Sequence, residues 1–272
     1  MTELMHERLS LSGLCFPDLD LDGILATLGD LGAHHTSLSA SKVRAHGWDA
    51  GTARIGRSGV GVVALIEGPF DLADRASWPA ARSRIIETLD VTATLGGQAV
   101  YMIGGAPISA EWSVTAAAYA DAVESIVAHA GDVGVHICIE PTNVLYADMT
   151  FVHTMAAAIE VMARSGISVC LDVFHVWTEP HLREHIVESG PRIGLVQVSD
   201  YVAGDRALPC RAVPGDGVVP LAEIVGWVIE SGYDGLVDIE LSGPRIDAEG
   251  HVEAATRATT ELTGIIDRLL GS

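Results

Sequence analysis

The 272-residue chain lacks most of the features that assign a sequence quickly to a class. It has no GxGxxG turn, no CxxC pair and no apolar run near the about 20 residues that span a bilayer. Its four cysteines are isolated, which argues against a zinc-thiolate cluster or a disulfide framework and fits a reducing cytoplasm. The segment MTELMHERLS is acidic with no apolar centre, so a secretory signal is not expected.

Positive charge is also scarce. The chain has 16 Lys and Arg against 36 Asp and Glu, a formal net charge of −20. Such a surface repels phosphate backbones and acidic lipids, so neither a nucleic acid nor a membrane is an expected partner. The only lysine is Lys42, so a Schiff-base mechanism has a single candidate. An exposed loop position is the simpler expectation for this side chain.

The chain does contain a recurring unit of a short apolar run, a loop and an amphipathic helix. Apolar strands that alternate with helices are typical of parallel strands buried on both faces. The predicted strands are Leu9–Leu14, Ala33–Leu38, Val60–Glu67, Ala99–Ile103, Val135–Glu140, Ser168–Asp172, Ile193–Val198 and Leu236–Glu240. The predicted helices are Ile24–Leu31, Trp78–Leu95, Thr115–Ala130, Phe151–Ser165, Glu179–Ser189, Leu221–Ser231 and Glu253–Leu270, with one more in Ser41–Ala53.

Eight such strands predict one domain over residues 1–272, an α/β fold with a single (β/α)8 TIM barrel. The alternative is an open doubly wound sheet. That fold usually places a glycine-rich nucleotide turn after the first strand, where this chain reads CFPDLDLDG.

Four consecutive predicted strands end in, or near, an oxygen ligand: Glu140, Asp172, Gln197 and Glu240. The carboxyl ends of barrel strands converge, and three converging carboxylates repel one another unless a cation lies between them. A single acidic residue at a strand end more often caps a helix or forms a loop salt bridge. Four at one end predict instead a divalent metal site, for which oxygen ligands favour Mn²⁺, with Mg²⁺ or Co²⁺ possible, over zinc.

Five short motifs occur in a distinctive order: IEPTN, LDVFH, VQVSD, RAVPGDG and DIELSG. In that order they resemble the xylose isomerase-like TIM-barrel superfamily of sugar and sugar-phosphate isomerases and epimerases. The resemblance implies that Glu140 and Glu240 bind the metal and also move protons, with Asp172 as a further ligand. Gln197 stands where hydroxypyruvate isomerases have glutamine, which favours that branch.

The same resemblance implies that His175 and Arg211 bind the substrate. The ketose epimerases carry a substrate-contacting glutamate six residues after the first ligand, where this chain has Tyr146. The implied function is isomerisation or epimerisation of a sugar or a related small hydroxy-carbonyl compound in carbohydrate metabolism. A proton next to the carbonyl is removed and the enediolate is stabilised by the metal. Family members are often homo-oligomers, so a dimer or tetramer is expected.

Three other functions fit the same fold. An inosose dehydratase-like lyase removes the same proton but then expels a hydroxyl group. An endonuclease needs a histidine-rich zinc cluster and a basic face, and neither is visible in this sequence. A non-catalytic barrel that serves as a binding module is the last alternative.

Other polar residues at the strand ends are further substrate-contact candidates. His34 and His35 cannot both point inward, and either a packed core histidine or a substrate contact is expected for His35. Lys42 and Glu67 are candidates for substrate binding. The alternative for Lys42 is an exposed loop position, and the alternative for Glu67 is a helix cap. Asp238 has the parity of Glu240 and is expected to face inward as a support for the ligands. Aromatic residues in the predicted catalytic loops indicate either an apolar lid or pocket, or ordinary loop packing or an oligomer contact; these are Trp48, Trp112, Trp177 and Tyr146.

Overall fold

The computed structural model describes residues 5–271. Residues 1–4 and 272 lie outside the described residues. They include the start of the MTELMHERLS segment, for which no secretory signal is expected, and the two ends of the predicted domain. The strands are β1 (Leu9–Leu11), β2 (His35–Ser39), β3 (Gly61–Ile66), β4 (Ala99–Ile103), β5 (His136–Glu140), β6 (Ser168–Asp172), β7 (Ile193–Val198) and β8 (Val237–Ile239). They form one parallel sheet in the order β1-β8-β7-β6-β5-β4-β3-β2. The predicted single (β/α)8 barrel is therefore confirmed.

The helices surround this sheet. They are α1 (Leu21–Asp30), α2 (Ala40–Ala45), α3 (Trp48–Ser58), α4 (Trp78–Thr94), α5 (Trp112–Val133), α6 (Met155–Ser165), α7 (Val173–Val176), α8 (Leu182–Ser189), α9 (Leu221–Glu230), α10 (Pro244–Glu249) and α11 (His251–Leu270). The one helix predicted in Ser41–Ala53 is in fact two, because Gly47 turns the chain at φ 85° between them. Within residues 5–271, no helix has the length and apolar character needed to cross a membrane.

The barrel interior follows the period-two alternation of its strands. Alternate residues of neighbouring strands form a buried cluster of their own, separate from the layer between strands and helices. This inner cluster includes Ala99, Tyr101, Cys138, Cys170 and Leu195. Continued toward the carboxyl ends of the strands, the same alternation turns polar side chains inward at the barrel mouth.

Side chains close the seam between β1 and β2, which share no backbone ladder in the described part of the chain. The Thr36 hydroxyl donates to the Leu11 carbonyl oxygen at 2.8 Å. Ser10 and Ser37 each donate to the carboxylate of Asp238, both at 2.6 Å. Asp238 therefore faces inward, as its parity with Glu240 predicts, and it ties both seam strands to β8.

Candidate active site

The four residues predicted as metal ligands lie together at the carboxyl ends of their strands. Glu140 and Asp172 are the last residues of β5 and β6, and Glu240 directly follows β8. Gln197 lies opposite Asp172 on one side and Asp238 on the other in the strand ladders. Side chains at this end of adjacent strands converge, and all of these residues are buried.

Arg211 is buried among these carboxylates. Its Nη2 atom lies 2.6 Å from Asp172 Oδ2 and 2.8 Å from Glu240 Oε1. Its Nη1 atom donates to the Ser199 hydroxyl at 3.0 Å, and its guanidinium carbon lies 4.7 Å from the ring centre of Phe174. Burial opposes the charge of Arg211, but Asp172 and then Glu240 raise its pKa, so the guanidinium stays cationic.

The site carries more negative charge than Arg211 offsets. If Glu140, Asp172 and Glu240 were all ionised, the single guanidinium would leave a formal surplus of two negative charges. Burial, then Asp172 and Glu240, raise the pKa of Glu140 well above its ordinary value. Burial likewise raises the pKa of Glu240 to about 7, although Arg211 opposes the shift. Without a metal, the site therefore takes up protons, and its donor chemistry and charge fit a divalent cation in their place.

His175 is close enough to join a metal site. Its Nε2 atom lies 3.6 Å from Asp172 Oδ2 and 3.7 Å from Glu140 Oε1, and one ligand atom from each of the three residues lies within 4.8 Å of the others. However, the Asn143 backbone N–H donates to His175 Nδ1 at 3.2 Å. Burial lowers the pKa of His175 to about 4, so the ring is neutral. The Asn143 donor assigns its one proton to Nε2, which lies 3.5 Å from Arg211 Nη2, a nitrogen whose hydrogens are directed at Asp172 and Glu240. Nε2 therefore offers the pocket a donor and no free lone pair.

Gln197 turns its donor toward the carboxylates. Its Nε2 atom donates to Glu240 Oε2 at 2.5 Å and lies 3.4 Å from Asp238 Oδ2. The same nitrogen lies 3.2 Å from the Tyr101 hydroxyl, while Oε1 accepts from the Cys170 thiol at 3.1 Å. The amide must therefore turn over before Oε1 can serve as the metal ligand that the sequence predicts.

Part of this cluster lines a pocket of about 220 Å³, while Asp172 and Gln197 lie behind the lining residues. Its lining includes Glu140, Glu240, His175, Arg211, Tyr146 and Met149. The Tyr146 and His175 rings meet edge to face, with their centres 5.9 Å apart. The cavity is large enough for a small polyol or hydroxy-ketone to contact both glutamates.

Only part of the predicted aromatic lid lies at this pocket. Tyr146 lines it, and Trp177 lines an adjoining one. Trp112 instead packs at the start of α5 and donates to the Phe151 carbonyl oxygen. Trp48 begins α3, and the Arg44 guanidinium of α2 lies over its ring.

Glu67 follows β3 at the same end of the barrel, yet its charge is already balanced. It forms ion pairs with Arg44 and with Arg84, the latter at 3.1 Å. Its Oε1 atom also accepts from the Thr88 hydroxyl at 2.9 Å. The structure thus places Glu67 in an ion-pair network between α2 and α4, apart from the four converging residues.

Neither Lys42 nor His35 is brought to the cluster. The Lys42 ammonium donates to the carbonyl oxygens of Pro17, at 2.8 Å, and Leu19, so it braces the loop after β1. His35 is the first residue of β2 and therefore lies at the end of the barrel opposite to the carboxylates. Of the two expectations for His35, a core position and a substrate contact, this location does not favour the substrate contact, because the strand begins two residues later than predicted.

Sequence reasoning missed the part played by Asp200. Its carboxylate accepts backbone N–H groups from Gly215 at 3.0 Å, Gly217 at 2.9 Å and Val219 at 3.0 Å. A Cβ on Gly217 would lie 2.3 Å from Asp200 Oδ1, so the close approach requires glycine. The backbones of Asp200 and Ala212 also exchange two hydrogen bonds, at 2.9 and 2.8 Å, so Asp200 is tied to the residue that directly follows Arg211. Two features of the sequence could have indicated this contact: the aspartate that ends VQVSD, and the glycine-rich PGDG segment that follows it.

We expect Asp200→Ala to lower the free energy of unfolding by about 2–3 kcal/mol, because three backbone N–H groups, one of them buried, lose their acceptor. Urea unfolding followed by circular dichroism measures the change. Asp216→Ala is the matched control in the same loop: Asp216 forms an exposed ion pair with Arg257, and a change below about 1 kcal/mol is expected. Equal urea midpoints for the two variants would refute the structural role of Asp200.

The fold and the site together define a class of protein. It is a (β/α)8 barrel whose pocket, at the carboxyl ends of the strands, is lined by carboxylates and one arginine. A family model described as a xylose isomerase-like TIM barrel matches residues 26–262, most of the chain. The chain therefore belongs to that family, as its motifs predict. Among curated proteins, no match was found.

Solved structures with the same fold share little sequence with this chain. A Sinorhizobium meliloti 1021 protein superposes with a TM-score of 0.86 at 21% identity, covering 95% of this chain and 98% of the other. The IolI protein with a bound zinc atom gives 0.81 at 17%, covering 96% and 98%. L-ribulose 3-epimerase gives 0.75 at 19%, covering 98% and 96%. At these identities the comparison establishes the fold alone.

Proposed function

We propose that the protein is a divalent-metal-dependent isomerase or epimerase of a sugar or a related small hydroxy-carbonyl compound. One observation carries the proposal: a pocket lined by the buried Glu140 and Glu240, where three carboxylates face a single guanidinium. The likeness of the fold to L-ribulose 3-epimerase and D-psicose 3-epimerase supports it. We further expect a cytoplasmic homo-oligomer, a dimer or a tetramer.

In this proposal Glu140, Asp172, Gln197 and Glu240 hold one cation, most readily Mn²⁺, because all four offer oxygen. Mg²⁺ and Co²⁺ suit the same ligands, and the zinc atom of the IolI structure makes Zn²⁺ a necessary comparison. A bound dication would polarise the substrate carbonyl and acidify the neighbouring C–H. The tautomer of His175 argues against a fifth protein ligand.

In this proposal the side chains of the pocket carry out the proton transfer and contact the substrate. Glu140 and Glu240 line the same small pocket, so one can take the proton from carbon and the other can return one. His175 donates from Nε2 to a substrate oxygen and holds the substrate for that transfer. Arg211, fixed by Asp172 and Ser199, is placed to donate to a second oxygen and to keep the carboxylates in position.

Proton NMR in D₂O tests the proposal with hydroxypyruvate, dihydroxyacetone and D-fructose as probes. With Mn²⁺ added at substoichiometric level, or Mg²⁺ to limit line broadening, we expect deuterium to enter next to the carbonyl of at least one probe. Chelation should stop the exchange. No exchange together with no binding of Mn²⁺, Mg²⁺, Co²⁺ or Zn²⁺ by calorimetry would reject the proposal. Loss of water from a probe after proton removal would instead assign the site to the lyase class.

A further inference from the structure

A second cavity adjoins the catalytic pocket. It has a volume of about 370 Å³ and is lined mainly by apolar and aromatic side chains from the loops after β5, β6 and β7. They include Leu145, Phe174, Trp177, Tyr201 and Leu208. His175 lines both cavities, so a molecule that contacts His175 in the first can extend into the second.

We propose that this second cavity, the apolar subsite, binds an aromatic ring or a comparable apolar group carried by the substrate. The inference rests on the proposed function and narrows it. The substrate is then a hydroxy-carbonyl compound with its reactive end between Glu140 and Glu240 and an apolar end at Trp177. A free sugar or a sugar phosphate does not fit this description.

The shape and chemistry of the subsite support a flat apolar group. The Trp177 and Tyr201 rings lie 6.1 Å apart and are inclined by only 36°. The Tyr201 hydroxyl accepts from Arg206 at 2.8 Å and donates to the Asp205 carbonyl oxygen at 3.0 Å. Its polar end is thereby satisfied without a ligand, so the face of its ring remains for apolar contact.

Two large aliphatic side chains at this subsite are exposed to water. Leu145 is 61% exposed and Leu208 is 45% exposed, on the segments that follow β5 and β7. A bound apolar group would remove this surface from water. The cavity is also lined by Asn143, Thr178, Asp205 and Arg206, but three of these polar side chains already have partners within the protein: Asn143 accepts from the Leu145 N–H, Asp205 pairs with Arg245, and Arg206 donates to the Tyr201 hydroxyl. A dry cavity of about 150 Å³ is enough for benzene, so a ring with substituents fits in this space.

Two α-hydroxy-ketones test the subsite: 2-hydroxyacetophenone and hydroxyacetone. They share the reactive end and differ by a phenyl group in place of a methyl group. Saturation-transfer NMR and calorimetry should show at least about tenfold tighter binding of the phenyl compound, with its ring protons closest to the protein. Equal affinity of the two probes would overturn the proposal.

Variants locate the effect. Leu145→Ser and Trp177→Leu should each weaken binding of 2-hydroxyacetophenone about fivefold or more and leave hydroxyacetone unchanged. Val144→Ser is the matched control, since Val144 is 65% exposed beside Leu145 and does not line the cavity. Circular dichroism confirms folding. Wild-type preference for the phenyl probe in both subsite variants would place its binding elsewhere and overturn the proposal.

The test separates this inference from the proposed function. Ring-proton contacts measured in chelator report on the subsite alone, whereas metal binding and deuterium exchange report on the catalytic pocket. Failure of exchange with retained ring contacts rejects the function, and exchange of hydroxyacetone without a phenyl preference rejects the subsite. Sedimentation supplies one further check: concentration-dependent self-association that Leu145→Ser abolishes would assign the apolar surface to a second copy of the chain and overturn the subsite.

Discussion

Glu140→Gln is expected to reduce deuterium exchange by about a thousandfold or more, while the metal-free protein stays as stable as wild type or becomes more stable. General-base groups contribute about 10²–10⁴ to rate, and this substitution also removes a predicted metal ligand. Stability does not suffer, because burial and two neighbouring carboxylates already raise the pKa of Glu140. Glutamine has the shape of the protonated acid and carries no charge to bury.

Glu67→Gln is the matched control for this experiment. Glu67 is also a buried glutamate at the carboxyl end of a barrel strand, but Arg44 and Arg84 balance its charge. Its replacement should lower stability by about 1–2 kcal/mol and leave the affinity for Mn²⁺ unchanged. Thermal unfolding in chelator and calorimetric titration with Mn²⁺ measure both effects. If Glu140→Gln binds Mn²⁺ as wild type does, the proposed metal site is wrong.

The contrast between Glu67 and Glu140 shows where sequence reasoning stops. Both residues end an apolar strand, in IEGPF and IEPTN, and the local patterns are nearly the same. Only the fold brings Arg44 and Arg84, from two different helices, to the first of them. The sequence could therefore predict that carboxylates gather at the barrel mouth, but not which of them lack a partner.

The barrel and its converging strand ends could be predicted because they rest on local periodicity. Continuous apolar runs separated by helices indicate buried parallel strands, and each carboxylate is fixed by the end of its own run. His35 was misplaced because the start of β2 depends on its pairing with β3, which the sequence does not display. The hydrogen bonds from Gly215 and Val219 to the Asp200 carboxylate were missed for the same reason, because they join residues 15 to 19 positions apart.

Arg211→Met should lower the free energy of unfolding of the metal-free protein by about 3–5 kcal/mol at about pH 8, the usual cost of leaving buried charges without a partner. Asp172 and Glu240 both lose their ion pair, while methionine keeps much of the side-chain volume. Arg206→Met is the control: this arginine is exposed in the same loop, and a change within about 0.5 kcal/mol is expected. Urea unfolding in chelator gives both values.

The pH dependence of this loss identifies its cause. In wild type, burial alone would raise the pKa of Asp172, but the Arg211 guanidinium holds it below its ordinary 3.8. That contribution to stability is present above about pH 4 and is lost only at lower pH. In Arg211→Met the pKa should rise instead, so the variant loses stability as pH increases from 3.8 through the raised value. The difference in free energy of unfolding between wild type and Arg211→Met must therefore increase from about pH 5 to about pH 8. A divalent cation should reduce this difference, because it replaces the missing positive charge. A gap that is constant with pH and insensitive to Mn²⁺ would mean that Arg211 acts through packing alone, and the charge argument for the metal site would lose its basis.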